Sequence, residues 1–193
     1  SSKNTSLITA CTYDNDLEKL KDCDLIIEAV AEKIEIKHSV YKSLLPHLKD
    51  DAILASNTSG IPLANLVEVL PEEVQARFLI SHFFNPPRYL RLLELVKGPK
   101  TSEDVYDTVT EFGETTLGKG IVHAKDTPGF IGNRLINANG RLVIEKALEM
   151  GLSVEDVDAL TGTLIGNAKS AYFRTQDIVG LDTALNVSNN MYE

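Results

Sequence analysis

The residue in this sequence best placed to do chemistry is His82. It follows Phe78-Leu79-Ile80-Ser81 and precedes Phe83 and Phe84, at the end of a predicted strand. Glu94 interrupts a second apolar run, Leu92-Leu93-Glu94-Leu95-Val96. A carboxylate set among apolar neighbours needs a partner, because burying it unpaired is very costly. Between the two runs, Asn85-Pro86-Pro87 forces a turn. The link is too short for a helical crossover but permits an antiparallel return. Folded back about that turn, Glu94 reaches the ring of His82. A carboxylate on one imidazole nitrogen fixes the tautomer and supports proton uptake at the other. Taken singly, each residue has a plainer reading: a strand-end histidine satisfied by a backbone carbonyl, and an exposed edge-strand glutamate.

Two other predicted strands also end in polar residues: Glu28 to Glu32, and Ser56-Asn57-Thr58-Ser59. Ligands of open parallel sheets bind beyond the C-terminal ends of the strands, and three polar ends on one sheet edge mark such a place. The remaining histidines, His38, His47 and His123, fall on a surface helix and a short strand. Neither they nor Cys11 and Cys23 have the spacing of a metal site.

The elements that must position these residues alternate. Leu7 to Ala10, Asp24 to Val30, Ala52 to Ala55 and Arg77 to Ser81 read as strands, and Asn15 to Leu20, Ile34 to Leu48 and Leu63 to Leu70 as helices. That rhythm belongs to a parallel sheet covered on both faces. It then changes: Arg91 to Val96 returns antiparallel, a helix runs from Glu103 to Leu117, and Ile121 to Ala124 is a last strand. Asp126-Thr127-Pro128 is expected to open a long helix, with Pro128 in its first turn, ending at Gly151. Ser153-Val154-Glu155-Asp156 caps another. The fold class is α/β: an incomplete Rossmann-like parallel sheet with an antiparallel extension, followed by an all-helical C-terminal segment. The domains expected are residues 1–125 and 126–193.

The 193 residues carry 19 Lys and Arg against 28 Asp and Glu, a net charge of −9. That argues against a nucleic-acid partner, which needs a basic face. Two cysteines rule out a disulfide scaffold and fit a reducing cytosol. The longest uncharged stretch, Ala52 to Val67, holds too many polar residues to span a membrane.

Four segments together resemble the successive signatures of the NAD-dependent 3-hydroxyacyl-CoA dehydrogenases. They are Asp24 to Glu32, Ala55 to Ser59, His82-Phe83-Phe84-Asn85-Pro86, and Asp126-Thr127-Pro128-Gly129-Phe130-Ile131-Gly132-Asn133-Arg134. The ending, Gly162 to Gly166 through Phe173-Arg174-Thr175 to Thr183, is most similar to the bacterial and archaeal branch often fused to an enoyl-CoA hydratase. The resemblance implies NAD as cofactor and a 3-hydroxyacyl-CoA as substrate, oxidised to the 3-ketoacyl-CoA in fatty-acid β-oxidation. It also implies a homo-oligomer, with a fused or associated hydratase as a further partner. By motif position His82 takes the hydroxyl proton and Glu94 orients it. Ser59 and Asn133 contact the reacting oxygen or thioester region, and Glu32, Lys37, Asn57 and Asn85 line the NAD site. Without the resemblance, Glu32 and Lys37 read as solvated helix-start charges and Asn133 as an ordinary helix residue.

The family's opening Gly-x-Gly-x-x-Gly turn, which seats a pyrophosphate on a helix N-terminus, has no counterpart among the twelve glycines here. The chain therefore reads as an excerpt, lacking a βαβ unit of roughly 30 residues ahead of Leu7. From this we expect weak NAD binding by this chain alone and an apolar sheet edge prone to self-association. Two other readings stay open. One is a non-catalytic acyl-CoA-binding or structural remnant, the other a related sugar-acid dehydrogenase.

Overall fold

The computed structural model describes residues 5–181 and 185. The chain divides into two units, Ser1–Thr58 with Leu63–His123, and Ser59–Pro62 with Ala124–Glu193. In the first, five strands lie in sequence order in one sheet: β1 (Leu25–Glu28), β2 (Ile53–Ser56), β3 (Phe78–Phe83), β4 (Leu92–Lys97) and β5 (Gly120–Ala124). β1, β2 and β3 are parallel, and β4 returns antiparallel to β3. This is the expected parallel sheet with its antiparallel extension.

All four residues of β2 are buried, as in a strand covered on both faces. Ile53 and Ala55 join Leu79, Leu93, Leu95 and, from α4 (Glu103–Glu111), Val105, Tyr106 and Val109 in one core cluster. The helix after β1, α1 (Ile34–Leu44), buries Lys37, Tyr41 and Leu44. It was expected to reach Leu48. It tightens instead into a 3-10 turn at Leu45–His47, where Pro46 lacks the N–H that a continuing helix needs. Short helices α2 (Leu63–Leu66) and α3 (Glu72–Gln75) lead into β3. α4 passes into a wider π turn at Phe112–Thr116 and stops before Gly118, at a left-handed φ of 64°.

Two expectations fail here. Leu7 to Ala10 is not a strand: Leu7 and Ile8 are exposed, and the Ile8 N–H bonds to the Thr5 carbonyl, 3.2 Å. A strand needs a neighbour for its ladder, and β1 pairs only with β2 among the described residues. The segment at Asn15 to Leu20 forms only a 3-10 turn, Leu17–Asp22.

The second unit is helical, with α5 (Gly132–Met150), α6 (Val154–Thr161) and α7 (Phe173–Val179). α5 begins at Gly132, not at Asp126. Gly129 and Phe130 take φ of 70° and 46°, a left-handed pair that no right-handed helix can include. Pro128 therefore sits in a turn, closed by the Phe130 N–H on the Thr127 carbonyl at 2.9 Å. α5 ends as expected, on Gly151 at φ 64°. Ser153 and Asp156 form a reciprocal capping box that starts α6. Among the described residues no helix is long and apolar enough to cross a membrane.

Candidate active site

The β3–β4 register sets His82 directly opposite Glu94. Both are buried, at 4% and 1% exposure, and Nδ1 of the imidazole lies 2.8 Å from Oε2 of the carboxylate. The carboxylate can only accept, so Nδ1 donates to it, and in a neutral imidazole this puts the lone pair on Nε2. The Phe84 ring packs on the imidazole with centroids 4.5 Å apart. The turn joining the strands is fixed by Lys119, whose ammonium donates to the Pro87 carbonyl and, at 2.8 Å, to that of Leu90. Asn85 is exposed in this turn, and the Asn85–Pro86 peptide is cis.

A second polar cluster fills the C-terminal ends of β1 and β2. Glu28, 4% exposed, accepts from the Val30 N–H (2.7 Å), the Lys37 ammonium (2.8 Å), the Tyr41 hydroxyl (2.9 Å) and the Ser56 hydroxyl (2.7 Å). Lys37 is fully buried and also meets Glu32, at 3.2 Å, whose carboxylate takes the Thr58 hydroxyl as well. Burial works against ionisation of Glu28. The Lys37 ammonium and the Ser56 hydroxyl outweigh it and hold the carboxyl below its ordinary value. Burial pushes the Tyr41 phenol far up; the Ser56 hydroxyl opposes this and the Glu28 charge adds to it.

Lys37 is thus no solvated helix-start charge, and it lies behind Glu32, whose side chain is 33% exposed. Glu28, Tyr41 and Ser56 were not singled out from the sequence as site residues. The reasoning applied to Glu94 would have found Glu28, since it too interrupts an apolar run, Leu25-Ile26-Ile27-Glu28-Ala29-Val30.

Asn57 follows directly after β2. Its N–H donates to the Glu28 carbonyl at 2.7 Å, and its Oδ1 accepts from the Phe83 N–H at 2.9 Å. In the second unit, Asn133 in the first turn of α5 donates from Nδ2 to the Ser59 carbonyl, 3.2 Å. The expected residues therefore fall into local sets: His82 with Glu94, Glu32 with Lys37, Asn57 against the end of β3, and Ser59 with Asn133. Among the described residues no group of His, Cys, Asp or Glu side chains is arranged to hold a metal.

Two family descriptions cover almost the whole chain. "3-hydroxyacyl-CoA dehydrogenase, NAD binding domain" matches residues 1–127, and "3-hydroxyacyl-CoA dehydrogenase, C-terminal domain" matches residues 129–193. A Bacillus subtilis protein named as a 3-hydroxyacyl-CoA dehydrogenase is 46% identical over 193 residues, 100% of this chain and 24% of that protein. A Rickettsia felis protein named as a fatty acid oxidation complex trifunctional enzyme is 42% identical over 186 residues, 96% of this chain and 26% of that protein. The crystal structure of FadB2 from M. tuberculosis superposes with a TM-score of 0.82 at 37% identity, covering 92% of this chain and 61% of that one. The chain thus spans about a quarter of the length of these two curated relatives.

Proposed function

This chain belongs to the 3-hydroxyacyl-CoA dehydrogenase family, and we propose that it carries the proton-transfer machinery of an NAD-dependent oxidation of a (S)-3-hydroxyacyl-CoA to the 3-ketoacyl-CoA. The observation that carries this reading is the buried His82–Glu94 pair, 2.8 Å apart. Its Nε2 lone pair takes the proton of the C3 hydroxyl. The imidazolium that results is stabilised by the Glu94 carboxylate, and the proton passes on to solvent. When bound, NAD supplies the acceptor for the hydride that leaves C3. Ser59 and Asn133, joined through the Ser59 carbonyl, contact the substrate near the reacting oxygen or thioester.

The residues present fit part of a dinucleotide. Glu28, Lys37 and Glu32 sum to one negative charge, and Glu32 is the member whose side chain is partly exposed. A carboxylate held in this way accepts from sugar hydroxyls and repels phosphates. Glu32, supported from behind by Lys37, would hold a ribose of NAD, with Asn85 in the turn after β3. No Gly-x-Gly-x-x-Gly turn for the pyrophosphate lies within these 193 residues. The Rickettsia relative's name supports a fatty acid oxidation complex as the setting. The free Cys11 and Cys23 fit the reducing cytoplasm. The exposed Leu135, Leu142 and Leu148 of α5 favour a homo-oligomer.

The test is His82→Gln in the full-length protein, followed by NADH formation from a (S)-3-hydroxyacyl-CoA. Turnover should fall by roughly 10² to 10⁴ with the fold and NAD binding kept. A near-normal kcat would overturn the assignment.

A further inference from the structure

β3 outruns its parallel neighbour. β2 pairs with it at Leu54↔Phe78, Ala55↔Leu79 and Ser56↔Ile80, and there the pairing ends. Ser81, His82 and Phe83 continue beyond it. On the other side β4 pairs with β3 as far as Phe83↔Leu93. The base of the proposed reaction therefore sits on an overhang flanked by a strand on one side only.

Asn57 supplies the other side. Its backbone is tied to the end of β1 through the Glu28 carbonyl, and its Oδ1 takes the N–H of Phe83, the last residue of β3. One side chain thus does what the next rung of the ladder would have done, and it links the ends of three strands. The peptide unit it holds is the one joining His82 to Phe83, so the contact restrains the backbone torsion that follows the histidine. Glu94 fixes the ring from Nδ1. Backbone and ring are held by different partners, on opposite sides of the strand.

We propose that Asn57 is a positioning residue for His82, acting through the Phe83 N–H. This rests on the reading of His82 as the base. It differs from the role the family resemblance implies for Asn57, a wall of the NAD site. Without the Oδ1 acceptor the Phe83 N–H must find another partner, and the overhang shifts with it. A displacement of about 1 Å at a reacting group costs up to about 10²-fold in rate.

Asn57→Ala and Asn57→Asp in the full-length protein separate the possibilities, because aspartate keeps an oxygen where alanine has none. In Asn57→Ala, kcat should fall about tenfold or more while the Kd for NAD stays within about twofold. Asn57→Asp should recover most of the lost kcat. Hydrogen exchange at the Phe83 amide should accelerate in the alanine variant and stay slow in the aspartate variant. The proposal is overturned if alanine weakens NAD binding and spares kcat, if aspartate rescues nothing, or if Phe83 exchange is unchanged in Asn57→Ala. His82→Gln run in parallel keeps the two failures apart. A preserved kcat there removes the base and this proposal together. A lost kcat there with a normal one in Asn57→Ala removes only this proposal.

Discussion

Two carboxylates lie buried in the sheet of the first unit, and they are held in different ways. Glu94 meets the His82 ring across an antiparallel register. Glu28 takes four donors, from the loop after β1, from two positions one turn apart on α1, and from the end of β2. Both satisfy the demand that a buried charge be paired. A carboxylate with four donors is a fixed point: it ties α1 to the strand ends and leaves little for chemistry. A carboxylate that meets a histidine across the strands sets a tautomer and directs a proton. The difference predicts that loss at the Glu28 cluster is felt first in stability and loss at the Glu94 pair first in rate.

The largest effect tests the fixed point. Lys37→Met should cost about 3–5 kcal/mol in chemical denaturation, because it strands the Glu28 charge in the interior. Glu28→Gln combined with Lys37→Met should recover most of that loss, since the amide oxygen at the Oε2 position can still accept from the Tyr41 and Ser56 hydroxyls. A double variant no better than the single one would mean that the pair is valued for its net attraction.

Next comes the rate. Glu94→Gln should lower kcat by about 10²-fold with a much smaller change in stability, because the amide can offer Nδ1 an N–H and favour the wrong tautomer. Stability lost in step with rate would erase the contrast between the two sites.

Much of this arrangement is legible in the sequence, for reasons that can be named. His82 and Glu94 flank one short turn, so the hairpin that Asn85-Pro86-Pro87 forces is enough to bring them together. The apolar runs give the strands, and the glycine at 151 gives a helix end, because both are local signals. What is not legible depends on partners distant in the chain. Asn57 and Phe83 are 26 residues apart and meet only because two parallel strands end unevenly. The segment Leu7 to Ala10 has the residues of a strand but no neighbour among the described residues. The late start of α5 turns on the left-handed Phe130, at φ 46°, a conformation that composition does not announce in a residue other than glycine.

A smaller effect follows from acid. The folded-state value of Glu28 lies below its ordinary one, so the stability it contributes is fully present above the unfolded carboxyl value, about 4.3. It is lost as pH falls through the lower folded value. Denaturation midpoints taken across that range should therefore drop more steeply in the parent than in Glu28→Gln/Lys37→Met, which has no such carboxyl. Equal slopes would mean that other carboxylates dominate the acid response.

The smallest change probes whether the Glu28 donors act as a set. Tyr41→Phe removes only the hydroxyl that donates to Glu28 at 2.9 Å. The ring stays, edge-on to Phe78 with centroids 5.8 Å apart, so packing is conserved. A hydrogen bond to a charged group is worth about 1.5–3 kcal/mol. Three other donors remain on the same carboxylate, which places the expected loss near the lower end, about 1.5 kcal/mol. If the cluster is a fixed point, kcat is unmoved, and Tyr41→Phe in the Glu28→Gln/Lys37→Met background costs less than in the parent, because a neutral acceptor values the hydroxyl less. An equal cost in both backgrounds would show that Tyr41 contributes through its surroundings alone. A fall in kcat with stability intact would place the Glu28 cluster on the side of the chemistry after all.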